Sequence, residues 1–180
     1  MEIVPIFGEN LYAVRYPDEE KDEFERLFEL WQDPEFLESF FDEHQSDLKS
    51  GFWGDIGINI AIIETYDYAS ELEQRITELS VQTQDSQLSD LDEIFEPLHN
   101  SEIRIVQLGK RKTKRNWLRI YAIRVESNLY IITGGAIKLT RTMQEREHTK
   151  HELQKLEHVR RYLLERGIID KEGLIEFIES

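Results

Sequence analysis

Cations recur through the C-terminal half of this chain at positions that could bind a phosphate. Arg119 and Tyr121 alternate within the apolar run LRIYAIRV, so a strand would place both side chains on one face. Lys138 and Arg141 follow the next apolar run. An arginine on a sheet face can hold a phosphate through two hydrogen bonds and offset the charge that builds on phosphorus during cleavage. We therefore predict a phosphate site at Arg119, with a surface ion pair to an acidic helix as the alternative.

The most basic run of the chain, GKRKTKR over residues 109–115, lies just before these strands and holds five cations in seven residues. Such a run predicts an electropositive loop suited to phosphate contacts, and a solvated charged loop is the alternative. Trp117, directly after it, either stacks on a base or lies half-buried. The residues predicted to contact phosphate are Lys110, Arg111, Lys112, Lys114 and Arg115.

The charge is divided unevenly along the chain. The net charge of the 180 residues is −15. Residues 1–102 hold 27 acidic and 5 basic side chains, a net charge of −22, whereas residues 103–180 hold 10 acidic and 17 basic side chains, a net charge of +7. Such asymmetry indicates either a segment that faces nucleic acid or an internal charge mask. The alternative is that the helices simply have solvated charged faces, and that the sign of the charge on each face is set by chance.

Composition excludes several classes of protein. The chain has no cysteine, which excludes disulfides, thiolate nucleophiles and cysteine-based zinc sites. No apolar run approaches the roughly 18 residues of a membrane-spanning helix, and the N-terminus lacks the basic region of a signal peptide. We therefore expect a cytoplasmic protein without a membrane partner.

Three histidines, His148, His151 and His158, fall at helical spacing near the end of the chain. They match no zinc signature, so we expect no metal site. Surface histidines are one interpretation, and a histidine that transfers protons during RNA cleavage is the other.

The periodicity predicts an α+β fold in a single domain over residues 1–180. Residues 1–17 form a hairpin, residues 18–90 an acidic helical insertion, residues 91–167 the core, and residues 168–180 a short C-terminal helix. The first predicted helix follows Pro17, with acidic residues from Asp18 to Glu23 in its first turns and an apolar stripe that ends at Trp31. The other predicted helices lie after an Asp33 cap, at 59–80, at 91–97, from Thr140 or Thr142 to Arg166, and at 171–179. The predicted core strands are at 103–108, 118–125 and 129–133. The pair Gly134-Gly135 predicts a bulge or a close backbone approach.

The order of the elements over about residues 93–165 resembles the order found in the RelE/HigB-like toxin family. The segments that carry the resemblance are Pro97-Leu98, Gln107-Leu108, Arg119-Ile120-Tyr121 and Gly134-Gly135-Ala136-Ile137-Lys138-Leu139-Thr140. The resemblance implies a small twisted antiparallel sheet, the RelE-like core, to which this chain adds N-terminal acidic helices and a long C-terminal helix.

The resemblance further implies the toxin of a bacterial toxin–antitoxin system. Its partners would be a cognate antitoxin protein and mRNA on the ribosome, and it would cut by 2′-hydroxyl transesterification without metal or small-molecule cofactor. Arg119 would stabilise the phosphate and Lys138 would be the cation after the last strand, with Tyr121 and Arg141 as further catalytic candidates. The resemblance also implies that the loop from Lys110 to Arg115 binds the RNA. Gln107 stands where some members carry a catalytic lysine.

Two other interpretations stay open beside the toxin. The chain could be a non-catalytic RelE-fold binding module that uses its sheet for a protein or nucleic-acid partner. It could also be a toxin that silences itself, with its acidic helices lying over the basic strand face.

Overall fold

A six-stranded sheet with helices on both faces organises the described part of the chain. The structure, a computed structural model, describes residues 1–50, 52–81, 91–97, 105–108 and 116–180. The strands are β1 (Glu2–Phe7), β2 (Leu11–Arg15), β3 (Phe95–Pro97), β4 (Ile105–Leu108), β5 (Leu118–Glu126) and β6 (Leu129–Ile137). The helices are α1 (Glu23–Trp31), α2 (Pro34–Glu43), α3 (Gln45–Leu48), α4 (Ile58–Val81), α5 (Glu147–Glu165) and α6 (Lys171–Glu179), with 3-10 turns at Leu91–Glu93 and Met143–Glu145.

The strand order in the sheet is β1-β2-β6-β5-β4-β3. The predicted α+β class is confirmed, but the sheet is mixed rather than wholly antiparallel, because β2 runs parallel to β6. The predicted N-terminal hairpin is present with β1 at the edge, and it extends the sheet through β2. The hairpin therefore belongs to the same sheet as the predicted core strands.

Local sequence signals account for the helices near the N-terminus. The stripe formed by Phe24, Leu27, Phe28 and Trp31 gives α1 one buried face. The helix begins later than predicted: residues 18–22 lie before it, because the Asp22 carboxylate accepts the first free backbone N–H groups and caps the helix there. Helix α2 begins at a proline with an aspartate cap before it, as predicted. The predicted helix over 59–80 is confirmed as α4.

Three boundaries in the C-terminal half differ from the prediction. Strand β6 does not end at Thr133 but continues through the two glycines to Ile137, with Thr133 as the extra residue of a bulge. The segment over 91–97 is a 3-10 turn followed by β3, not a helix. Thr142 forms a capping box with Glu145, but on the 3-10 turn that precedes α5.

Each face of the sheet packs against its own set of helices. The acidic helices α1, α2 and α4 cover one face, where Trp31, Phe41 and Ile76 pack against strand residues such as Ile132. Helices α5 and α6 cover the other face. The open basic sheet face that we predicted is therefore not present in the described part of the chain. Within that part, no helix is both long and apolar enough to cross a membrane.

Candidate active site

Arg119, the predicted phosphate ligand, is buried in β5 with 4% of its surface exposed. It alternates with Leu118 and Ile120, whose side chains pack on the face of the acidic helices, so Arg119 lies on the α5 face. Its Nη1 donates to the carbonyl oxygens of Asn116 at 3.0 Å and Leu118 at 2.7 Å, and its Nε has no hydrogen-bond partner among the described residues. Burial lowers the pKa of Arg119. Arg119 therefore secures the start of β5 instead of facing solvent.

Tyr121, two residues further along the same face, is fully buried. Burial raises the pKa of its phenol well above the ordinary value. Its backbone carbonyl accepts a 3.2 Å hydrogen bond from the hydroxyl of Thr133 at the bulge of β6. Tyr121 thus belongs to the core under α5, and an RNA strand outside the fold does not reach it.

Lys138 and Arg141 lie on the segment that follows β6. The backbone N–H of Lys138 donates to the Trp117 carbonyl at 2.7 Å, which brings the start of β5 and the end of β6 together. The Lys138 ammonium donates to the carbonyl oxygens of Thr140 and Arg141, at 2.9 and 2.6 Å. The side chain of Arg141 is exposed and makes no ion pair or hydrogen bond within the described residues. Of the four predicted catalytic residues, Arg141 is the one that the structure leaves open to solvent.

Arg141 lines an open cleft of about 760 Å³ between the segment after β6 and the segment that joins α3 to α4. We call it the Arg141 cleft. It is lined by Asp47, Ser50, Phe52, Leu139, Thr140, Arg141, Glu145 and Arg146. Arg146 makes a two-point ion pair with Asp47, with Nε donating to Oδ2 at 2.9 Å, so this cation is fixed in the cleft wall.

Two histidines from distant parts of the chain meet beside the Arg141 cleft. The rings of His44 and His148 lie 4.9 Å apart, and the Phe40 ring contacts both. His148 Nε2 donates to the Ile137 carbonyl at 2.9 Å, which leaves its Nδ1 as a proton acceptor. His44 Nδ1 lies 3.7 Å from a carboxylate oxygen of Asp47, a residue of the cleft wall. Burial, and then the neighbouring His148, lower the pKa of His44.

Sequence reasoning missed part of this group. It considered His148 but placed it with His151 and His158, both of which are exposed on α5 and away from the pair. It missed His44 and Arg146 altogether. The spacing of His44 and Asp47 at i, i+3 is a local signal, but no sequence pattern connects α2 with a helix about a hundred residues later.

A second charged cluster lies where β6 extends beyond the end of β2. The Gly135 N–H donates to the Glu152 carboxylate at 3.0 Å, and Lys155 Nζ donates to Glu152 at 3.1 Å and to Glu23 at 2.8 Å. A Cβ on Gly134 would lie 1.9 Å from Glu152 Oε2, so the carboxylate occupies the space that the missing side chain leaves. Burial raises the pKa of Glu152. Of the two predicted alternatives, the close backbone approach is present at Gly135, where a Cβ would lie 2.6 Å from the Arg119 carbonyl oxygen, whereas the bulge falls one residue earlier than the glycines, at Thr133.

The predicted RNA-binding residues Lys110, Arg111, Lys112, Lys114 and Arg115 lie outside the described residues. Among the described residues, no group of three or more His, Asp or Glu side chains is arranged to hold a metal ion. Comparison with protein families, with curated proteins and with solved structures finds no match to this chain.

Proposed function

We propose that this protein is the toxin of a toxin–antitoxin pair, a RelE/HigB-like endoribonuclease that cuts mRNA on the ribosome. One observation carries the proposal. The free guanidinium of Arg141 lies in a cleft whose wall holds a second arginine and which adjoins a pair of imidazoles. Cations and imidazoles are the groups that metal-independent RNA cleavage requires.

The placement of the family-like segments supports the same function. The Gln107-Leu108 pair ends β4, the Arg119-Ile120-Tyr121 segment lies in β5, and the Gly134 to Thr140 segment ends β6 and leads to α5. Strands β4, β5 and β6 are adjacent and antiparallel. The segments therefore follow one another in space in the order in which they resemble the family.

The proposed reaction uses the side chains at the end of β6. His148 Nδ1 takes the proton of a ribose 2′-hydroxyl, and the 2′-oxygen attacks the adjacent phosphorus. Arg141 offsets the negative charge that builds on the phosphate. The departing 5′-oxygen then receives that proton from His148, which leaves a 2′,3′-cyclic phosphate and a 5′-hydroxyl, while His44, which burial keeps neutral, packs against the His148 ring. Arg119 supports the site by holding the start of β5.

The test is cleavage of mRNA on purified ribosomes, together with growth arrest on induced expression in a bacterial host. His148→Gln and Arg141→Ala should each lower cleavage at least a hundredfold, since a positioned proton-transfer group contributes about 10²–10⁴-fold. His151→Gln is the matched control because this imidazole lies on the same helix but is 68% exposed. Full activity of His148→Gln would refute the assignment, as would equal loss in His151→Gln.

The burial of Arg119 favours a second candidate, a non-catalytic RelE-fold binding module. An arginine that donates to backbone carbonyls inside the fold stabilises the sheet and does not contact a phosphate. This candidate predicts that the intact protein leaves growth and mRNA unchanged and still binds a protein or nucleic-acid partner in a pull-down. The toxin proposal predicts a cognate antitoxin, so co-expression of a neighbouring helix-turn-helix protein should relieve the growth arrest.

A further inference from the structure

Phe52 is the most exposed aromatic ring among the large hydrophobic residues of the described chain, with 56% of its surface in solvent. It lies on the segment between α3 and α4 and lines the Arg141 cleft. Most other large apolar side chains in the same region, such as Trp117, are buried. An exposed ring inside a cleft that also holds the exposed guanidinium of Arg141 points to a ligand that has a flat apolar face.

The ring of Phe52 is attached to a rigid support. It packs edge-on against Trp53 at 4.8 Å, and the Trp53 indole N–H donates to the Leu139 carbonyl at 2.7 Å. Trp53 also packs on the buried Trp117 at 5.3 Å. These contacts join the Phe52 segment to the ends of β5 and β6, so the ring is held in place before a ligand arrives. Such preorganisation reduces the entropy lost on binding.

The charges of the cleft complement a phosphate next to that flat face. Arg141 is exposed and without a partner in the described residues. The charge of Arg146 is offset by Asp47, and the Glu145 carboxylate accepts hydrogen bonds from Thr142, so Arg141 supplies the charge for a phosphate. The cleft volume of about 760 Å³ lies within the range of roughly 300–1,000 Å³ typical of small-ligand sites. A nucleotide unit combines an aromatic base with a phosphate, whereas the bases of a duplex stack on one another and offer no free face.

We propose that the Arg141 cleft binds one unstacked nucleotide of single-stranded RNA, with its base on Phe52 and its phosphate on Arg141. This inference rests on the proposed function and makes it more specific, because it assigns the base of one bound nucleotide to Phe52 and its phosphate to Arg141. Stacking on a phenyl ring tolerates any base, so the site selects an open strand and not a sequence.

The test is equilibrium binding of a fluorescently labelled single-stranded RNA dodecamer to the full-length protein. Phe52→Ala should raise the Kd about 5- to 150-fold, because base–aromatic stacking contributes roughly 1–3 kcal/mol per base. Phe52→Trp should retain binding, since indole also stacks. Ile63→Ala is the matched control, because this residue is 60% exposed on α4 and does not line the cleft. Circular dichroism checks that each variant is folded.

The salt dependence separates the two contacts. Arg141→Ala should lower the slope of log Kd against log salt by about 0.7, the value for one phosphate on a single strand, whereas Phe52→Ala should leave the slope unchanged. The inference is overturned if Phe52→Ala binds as tightly as the wild type, or if a duplex of the same length binds equally well. If the wild-type protein neither binds nor cuts RNA, the proposed function itself fails. If Phe52→Ala still cuts RNA and binds it with the wild-type Kd, the stacking inference is wrong, but the proposed function stands.

Discussion

Replacing Gly134 by alanine tests whether the Glu152 carboxylate is fixed against the edge of β6. The new Cβ would lie 1.9 Å from Glu152 Oε2, so the carboxylate must move away from the Gly135 N–H and from Lys155. Glu152 is 8% exposed, so little water compensates for the lost contacts. A hydrogen bond to a charged group contributes about 1.5–3 kcal/mol, and we expect Gly134→Ala to lower the free energy of unfolding by that amount, because Glu152 and Lys155 both remain but the carboxylate leaves the Gly135 N–H.

The assay is urea unfolding followed by tryptophan fluorescence, since Trp31 and Trp117 are buried in the core. A double-mutant cycle with Glu152→Ala provides the control. Without the carboxylate the remaining close atom is Lys155 Nζ at 3.1 Å, the end of a flexible side chain that can move aside, and alanine in a strand is more stable than glycine by about 0.5–1 kcal/mol. Gly134→Ala should therefore be neutral or slightly stabilising in the Glu152→Ala background. An equal cost in both backgrounds would show that the backbone, not the carboxylate, requires glycine.

Two further predictions concern pH. Burial lowers the pKa of His44, so the folded protein favours the neutral imidazole. The contribution of neutral His44 to stability is complete above about pH 6.5 and is lost as the pH falls through the lowered pKa. The free energy of unfolding should fall between pH 7 and 5, and His44→Gln should flatten that part of the profile; an unchanged slope would contradict the assignment. Burial alone would raise the pKa of Asp92, but hydrogen bonds from Arg124 and Tyr130 outweigh it and hold the pKa at about 2. Its contribution of about 2 kcal/mol should be present above pH 4 and lost towards pH 2, and Asp92→Asn should remove that acid limb in a pH series of urea unfolding curves.

The elements of this fold could be predicted where local signals act alone. The apolar stripe that ends at Trp31, the Asp33 cap with Pro34, and the Asp170 cap of α6 each specify a helix from a few neighbouring residues, and each helix is present. The segment over 91–97 was wrongly predicted as a helix. It has too few apolar residues to establish a period, so they fit a short strand as well as a helix. There β3 pairs with β4, a contact that the local pattern does not encode.

The candidate site was harder to predict because it depends on what covers the sheet. Alternation placed Arg119 and Tyr121 on the same face, but nothing in their own strand shows that a helix packs over that face. Arg141 was a candidate on position alone, and the structure shows it exposed. The pairing of His44 with His148 arises from the packing of α2 against the start of α5, a contact between segments that are far apart in sequence.

The parallel pairing of β2 with β6 has a consequence during synthesis. Leu11 pairs with Tyr130, which lies 119 residues later in the chain. At about 5–20 residues per second, roughly 6 to 24 seconds pass between the two strands leaving the ribosome's catalytic centre. For that time the apolar faces of α1, α2 and α4 have no sheet to cover. The net charge of −22 over residues 1–102 makes unfinished copies repel one another, so we expect the acidic half to reduce the association of nascent chains until β6 completes the sheet.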